Sequence, residues 1–326
     1  MRAAEQVTFG GGGLDRATHL RKDTDALAAM LASPTARILP VWRGKPLIAP
    51  QPTGKQDIGL AFLAADHMVF ADANEAAVFL GLDGQGPIFA RDISAWSGPD
   101  TPAADLGSLI DQSEQRHPAL PQTQYFAELR HIMARLTPAE AELIVMAQGL
   151  FAWHRFHRFC ANCGHLTEIT QAGWQRTCPA CNRQHFPRTD PVVIMLITKG
   201  NKLLIGRSPN WLEGMYSLLA GFMEPGETVE AAVRREVYEE TQVRVGAVGY
   251  LASQPWPFPS SLMIGCWGHA TSDEITIDEV EIEDAKWVTR EELTDSWANQ
   301  SSVLIAARKG AIAHFLIKNW LSDTLS

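Results

Sequence analysis

GFMEPGETVEAAVRREVYEETQV, residues 221–243, opens as a loop containing glycine and proline and continues as a helix from about Thr228. Glu227 stands at the junction, where unpaired amides and the helix dipole favour a carboxylate. Glu236, Glu239 and Glu240 do not fit that logic. They recur at i, i+3 and i+4, so their side chains share one face. They also crowd the negative end of the helix, where dipole and like charge both oppose them. Only Arg234 and Arg235 are near enough in sequence to answer them. Carboxylates gathered against their own repulsion point to an absent counter-charge. Hard divalent cations such as Mg²⁺ or Mn²⁺ take all-oxygen ligand sets of this kind. An ordinary solvated helix face is the other reading.

The surrounding chain has 326 residues, enough for two or three domains with separate cores. Its formal net charge of -9 offers no basic surplus to neutralise phosphates, which argues against broad, non-specific nucleic-acid binding. An acidic protein still binds a pyrophosphate when metal ions supply the positive charge. The opening residues, MRAAEQVTFGGGG, lack an apolar leader, and no apolar run approaches the length of a membrane span. Four of the five cysteines form a pattern, which favours a reducing cytoplasm over a disulfide scaffold. A cytoplasmic protein with no membrane partner is therefore expected.

The glycines at 10–13 read as a flexible arm, and residues 36–93 as short strands and turns in which His67 and the tryptophans are packing groups. Thr137-Pro138-Ala139-Glu140 starts a helix, with Thr as N-cap, Pro at the first position and Glu at the third. Its stripe is Leu143, Ile144, Ala147, Leu150 and Phe151; it ends near His157, and His154 and His157 read as surface groups matched to the dipole. Cys160-x-x-Cys163, fourteen residues, then Cys178-x-x-Cys181 make two knuckles that set four thiolates around one Zn²⁺ in a closed, structural site. Gly164 and Asn182 follow the knuckles, where a left-handed backbone is needed. A redox pair would need one such motif; an iron–sulfur cluster is the other thiolate reading. The residues between the knuckles read as a hairpin.

Strands are expected at 192–198, 203–206, 214–220 and 244–251, on β-branched composition and turn signals. SQPWPFPSSLM, residues 253–263, alternates three prolines with Gln254, Trp256 and Phe258. That pattern excludes a central strand and holds flat aromatic groups at low entropic cost. A connector packing its aromatic rings on the core is the alternative.

Gly221, Glu227, Arg235, Glu236, Val237, Glu239 and Glu240 together resemble the Nudix box, with one departure, Gln242 in place of Gly. Zinc ribbon, Nudix box and SQPWPFPSS in that order resemble the NADH pyrophosphatase (NudC-type) branch of the Nudix family, from about Thr137 onward. The resemblance implies an α+β chain: an N-terminal α+β domain at 1–156, a zinc ribbon at 157–187, and an α/β/α sandwich with a mixed sheet at 188–326. It implies cleavage of NADH or NAD⁺ to nicotinamide mononucleotide and AMP by a homodimer whose partner chain contributes to the pocket. Glu236, Glu240 and Glu281 would bind Mg²⁺ or Mn²⁺, supported by Glu239 and the Ala220 carbonyl, with Glu239 the candidate general base and Arg235 orienting Glu227. The nucleotide would meet Phe186, Phe222, Gln254, Pro255, Trp256, Pro257, Phe258, Pro259, Ser260 and Ser261, with Ala313 close by. Two other readings stay open: removal of NAD caps from RNA by the same chemistry, and a non-enzymatic zinc-ribbon interaction protein whose Nudix domain is dead, suggested by Gln242.

Overall fold

The computed structural model describes residues 3–51, 56–98, 111–209, 211–299 and 307–324. Its chain forms two compact units: Gly11–Arg188 with Pro257–Ser260, and Met1–Gly10 with Thr189–Trp256 and Ser261–Ser326. The ribbon and N-terminal part share one unit. The first ten residues belong to the other, because Val7 lies in its core beside Ile194, Ala252 and Leu316.

In the former unit, helix α1 (Thr24–Leu31) precedes β1 (Arg37–Trp42), β2 (Lys45–Pro50), β3 (Ile58–Leu60), β4 (Val78–Asp83), β5 (Gly86–Asp92) and β6 (Tyr125–Phe126). They form one sheet in the order β3-β2-β1-β5-β4, with β6 on β2. Strands β1 and β5 run parallel. Ile38, Trp42, Leu47, Phe79, Phe89 and Phe126 fill the core. A short helix, α2 (Leu129–Ile132), leads to α3 (Pro138–Phe156). At its start the Thr137 hydroxyl accepts from the Glu140 amide (3.3 Å), and the Glu140 carboxylate accepts from the Thr137 amide (3.0 Å), a reciprocal cap.

Two local expectations fail here, both because of partners far away in sequence. The glycine run is not a free arm: Gly12 donates its amide to Glu142 of α3 at 2.6 Å. A side chain on Gly12 would stand 2.3 Å from the Ala139 Cα, so bare backbone is what allows the approach. His154 is buried rather than on the surface. Its Nε2 donates to the Gly173 carbonyl (2.9 Å), and its Nδ1 accepts from the Arg176 guanidinium (3.1 Å), which ties the helix to the ribbon. Burial holds this imidazole neutral, with its pKa lowered to about 4. The ribbon is a three-stranded antiparallel sheet of β7 (Glu168–Thr170), β8 (Gln175–Thr177) and β9 (Gln184–His185).

The other unit runs β10 (Asp190–Lys199), β11 (Lys202–Arg207), β12 (Leu219–Phe222), α4 (Val229–Thr241), β13 (Val245–Trp256), β14 (Ser261–Ala270), β15 (Asp284–Thr289), α5 (Arg290–Asn299) and α6 (Ile312–Leu321). Its mixed sheet has the order β13-β14-β10-β11-β15, with β12 on β10 and β10 parallel to β14. Alternation along β10 sorts the core. Val193, Met195 and Ile197 pack with Ala232, Val233 and Val237 of α4. Ile194 and Leu196 pack with Ile312, Leu316 and Trp320 of α6 on the opposite face. The result is the α/β/α sandwich. Among the described residues no helix is long and apolar enough to cross a membrane.

Two strand boundaries differ from expectation. Strand β12 starts at Leu219, and the residues before it meet β11 through a single Gly206–Ser217 bridge. Strand β13 does not stop at Leu251 but continues to Trp256, pairing Gln254 with Met263 and Trp256 with Ser261. It tolerates Pro255 because it is the edge of the sheet, where a missing amide breaks no second ladder.

The left-handed turn after α4 is made by Gln242 itself, at φ 58° and ψ 8°, with its amide bonded to the Tyr238 carbonyl at 2.8 Å. Gln in place of Gly therefore preserves the turn and strains one residue. Gln242→Gly should raise unfolding free energy by about 1 kcal/mol in denaturant titration. No gain, or a loss, would show that the Gln side chain contributes more than its backbone costs.

Candidate active site

Thr228 caps α4 by accepting from the Ala231 amide (3.3 Å). The buried stripe that follows runs Ala232, Glu236, Glu240 at i+4 spacing, flanked by Val233 and Val237. Two acids thus occupy positions that an ordinary amphipathic helix gives to apolar side chains.

Arg235 explains how part of this charge is held. Its guanidinium donates to Glu227 (2.6 and 3.1 Å), to Glu236 (2.8 Å) and to Glu239 (3.0 Å), and also to the Phe222 carbonyl (2.9 Å). Glu227 also accepts the Glu224 amide (2.7 Å), so the loop before α4 is closed on itself. The Arg235 guanidinium keeps the Glu227 carboxyl below its usual range. Glu236 is pushed up by burial, against the pull of Arg235, and Glu239 and Glu281 add to the rise. Glu240 is beyond the reach of Arg235. Burial first, then Glu236 and Glu281, push its carboxyl up to about 8. Its buried Oε2 has no hydrogen-bond partner.

Glu281 arrives by backbone bonding that sequence pattern did not disclose. The last carbonyls of α4 lack intrahelical donors. Thr276 donates its amide to the Thr241 carbonyl (3.0 Å), and Asp278 to that of Glu240 (3.1 Å). The following turn buries Ile282 and leaves Glu281 exposed, close enough to raise both buried carboxyls. Gly221 in β12 lies directly against Glu236: a Cβ there would be 1.9 Å from its carboxyl carbon. Ala220 precedes it on the same strand.

The glutamates converge less than their spacing suggests. Among the described residues the four cysteines are the one set of three or more ligand groups whose donor atoms all lie within 4.8 Å. Like charge spreads the carboxylates, and Arg235 draws Glu236 and the half-exposed Glu239 to itself. An unpartnered buried oxygen, an all-oxygen donor set and bare backbone beside Glu236 nonetheless fit a hard divalent cation held by Glu236, Glu240 and Glu281.

The cysteine set is compact. Sγ–Sγ separations are 3.7 Å (Cys160–Cys181) and 3.5 Å (Cys163–Cys178, Cys163–Cys181), near the ~3.8 Å tetrahedral edge that ~2.3 Å zinc–sulfur bonds require. The amides of Gly164 and Asn182 close each knuckle on the carbonyls of Cys160 and Cys178 (2.9 Å each), at φ 75° and 56°. His185 Nε2 lies 3.4 Å from the Cys160 sulfur.

Candidate nucleotide contacts divide into several groups. Phe222 and Phe186, one in each unit, expose 61% and 63% of their surface and are free to stack. Pro255, Trp256 and Ser261 are half-buried on the edge hairpin. Pro257, Phe258, Pro259 and Ser260 fall in the other unit. There Gln148 donates to the Pro257 carbonyl (3.1 Å), and the Arg130 guanidinium lies 3.8 Å over the Phe258 ring. The aromatic run is therefore anchored rather than a free loop. Gln254 and Ala313 stand apart from these. Both are buried in the core, and the Gln254 amide is spent on backbone groups.

A mixed sheet between two helices, with buried glutamates on one of them and a tight glycine turn leading in, defines a Nudix domain. Family models match in chain order: an NADH pyrophosphatase-like rudimentary NUDIX domain at 35–153, an NADH pyrophosphatase zinc ribbon domain at 155–186 and a NUDIX domain at 187–307. The chain is 36% identical over 322 residues to the NAD-capped RNA hydrolase NudC of Mycobacterium bovis, covering 94% of this chain and 92% of that protein. To the NAD(P)H pyrophosphatase NUDT13, mitochondrial, of Mus musculus it is 38% identical over 240 residues, 67% of each chain. To the NAD-capped RNA hydrolase NUDT12 of Homo sapiens it is 47% identical over 201 residues, 58% of this chain and 43% of that protein, so it spans less than half of that relative. The chain belongs to the NADH pyrophosphatase (NudC-type) branch of the Nudix family.

Burial makes the Glu240 carboxylate costly in the metal-free protein. The folded state retains the proton up to about pH 8 while the unfolded chain releases it near the ordinary value of 4.5, so stability falls as pH rises through that window. Glu240→Gln should flatten this fall in metal-free melts. Added Mn²⁺ should raise the melting temperature of the wild type above pH 7 and leave that of the variant nearly unchanged. An equal Mn²⁺ response in both would remove Glu240 from the ligand set.

Proposed function

We propose that the protein hydrolyses the pyrophosphate of NADH or NAD⁺, free or carried as a cap on RNA, releasing nicotinamide mononucleotide and the adenosine monophosphate end. The observation that carries this reading is the buried, unpartnered Glu240 oxygen among Glu236 and Glu281 on a Nudix framework. The choice of substrate is supported by its relatives, an NAD(P)H pyrophosphatase and two NAD-capped RNA hydrolases. Bound Mg²⁺ or Mn²⁺ would neutralise charge on the phosphate oxygens and make water easier to deprotonate.

The chain's own residues do the rest. Glu236, Glu240 and Glu281 hold the cation, with the Ala220 carbonyl in support. Arg235 locks the 222–227 loop to α4, which keeps Phe222 and Glu227 in register with the carboxylates. Glu239, half-exposed beside them, takes the proton of the water that attacks one phosphorus in line, as the bridging P–O bond breaks. Phe222 and Trp256 supply flat surfaces for the substrate's rings.

The four thiolates hold one structural Zn²⁺ in a reducing cytoplasm, and the protein works as a homodimer. Phe156, Phe159 and Leu166, exposed at 62%, 64% and 50%, give a second copy an apolar surface to cover. Sedimentation and metal analysis of one purified sample should return twice the chain mass and one zinc per chain. A monomer would reject the dimer, and iron or no metal would reject the zinc.

Incubation with NADH and Mn²⁺ should yield two mononucleotides, and NAD-capped RNA should compete for the same site at several salt concentrations. Free nicotinamide, or oxidation alone, would overturn the reading. The absence of turnover on either substrate would favour the interaction-protein reading instead.

A further inference from the structure

Gln254 occupies an unusual place for a residue in an aromatic, proline-rich stretch. It is 0% exposed, on the edge strand β13, two residues before Trp256. All the main capacities of its amide are used. Nε2 donates to the Thr8 and Gly310 carbonyls, both at 2.8 Å, and Oε1 accepts from the Ile312 amide at 2.8 Å. Ile312 is the first residue of α6, whose N-cap Ala311 offers no side-chain acceptor. Gln254 therefore caps that helix from another strand, satisfying an amide that would otherwise be orphaned in the core.

Thr8 belongs to a segment held from both sides. Val7 and Phe9 are 5% and 3% exposed, and the Gly10 amide closes a turn on the Val7 carbonyl at 2.9 Å. Ala252, also fully buried, lies two residues before Gln254 and so on the same face of β13. Trp256 lies two residues after it, on that face again. Three chain segments thus meet at one side chain, at the base of the strand that carries Trp256.

We infer that Gln254 is a positioning residue rather than a ligand of the dinucleotide: by bonding Thr8, Gly310 and Ile312 it makes the 7–9 segment and the start of α6 the support of the strand presenting Trp256. This rests on the reading above that Trp256 receives a ring of the substrate. An apolar replacement leaves two carbonyls and one amide buried without partners, so the supports separate while the carboxylates on α4 stay in place.

Steady-state hydrolysis of NADH by full-length Gln254→Met and Val7→Asp tests the inference, with thermal melts checking that each variant folds. Val7→Asp expels the segment without touching Gln254. Both should raise KM about ten-fold and keep kcat within about two-fold, the signature of lost substrate positioning. Hydrogen exchange should show slow amides at Gly10 and Ile312 in the wild type and faster ones in both variants. A fall in kcat at constant KM in Gln254→Met, or an unchanged KM in Val7→Asp, would overturn the inference. If neither variant folds, wild-type exchange decides, and Gly10 and Ile312 amides exchanging as fast as in unfolded chain would overturn it. A wild type that does not cleave NADH sinks the proposed hydrolysis instead, and the exchange comparison still judges the support role.

Discussion

Two carboxylates buried on the apolar stripe of α4 are the constraint on which the rest of this unit depends. A helix that keeps Glu236 and Glu240 against its own sheet accepts desolvation and mutual repulsion. Arg235 relieves one of the two and leaves the other uncompensated. Neighbouring elements are arranged around this imbalance. Gly221 gives Glu236 room, the Thr276 and Asp278 amides close the end of the helix, and the turn they initiate brings in Glu281.

Arg235 also joins loop to helix. Its five hydrogen bonds reach the Phe222 carbonyl and three carboxylates, so the exposed Phe222 ring and the acidic face are set by one guanidinium. A lysine could supply the charge but not this planar fork. The ion pair with Glu227 is one part of a wider clasp.

Much of this was legible from sequence wherever structure is decided locally. The Thr137–Glu140 cap, the β-branched strand from Val192 to Thr198, the turns at Gly164 and Asn182 and the helix after Thr228 all depend on residues a few positions apart. Features set by distant partners escaped. His154 reads as a terminal, solvated imidazole until Gly173 and Arg176 fold over it. Gln254 reads as a polar group in a proline-stiffened loop; the prolines do keep it off a central strand, but the edge strand and the Thr8 carbonyl hold it in the core. Among the site residues, those on α4 follow from spacing. Glu281 is reached by resemblance alone, since its placement depends on which amides cap the helix.

The one proline of β13, Pro255, has a consequence for the protein's behaviour in a crowded solution. An exposed edge strand is a template on which another chain can add its own backbone, the first step of sheet-to-sheet aggregation. Strand β13 is long, from Val245 to Trp256, and forms the border of its sheet. Pro255 has no amide to offer, and shifts in pairing register near Val245–Val248 and Tyr250–Ala252 interrupt the regular ladder. The same rigid residue that precedes Trp256 at the border thus helps blunt it against fibril-like growth.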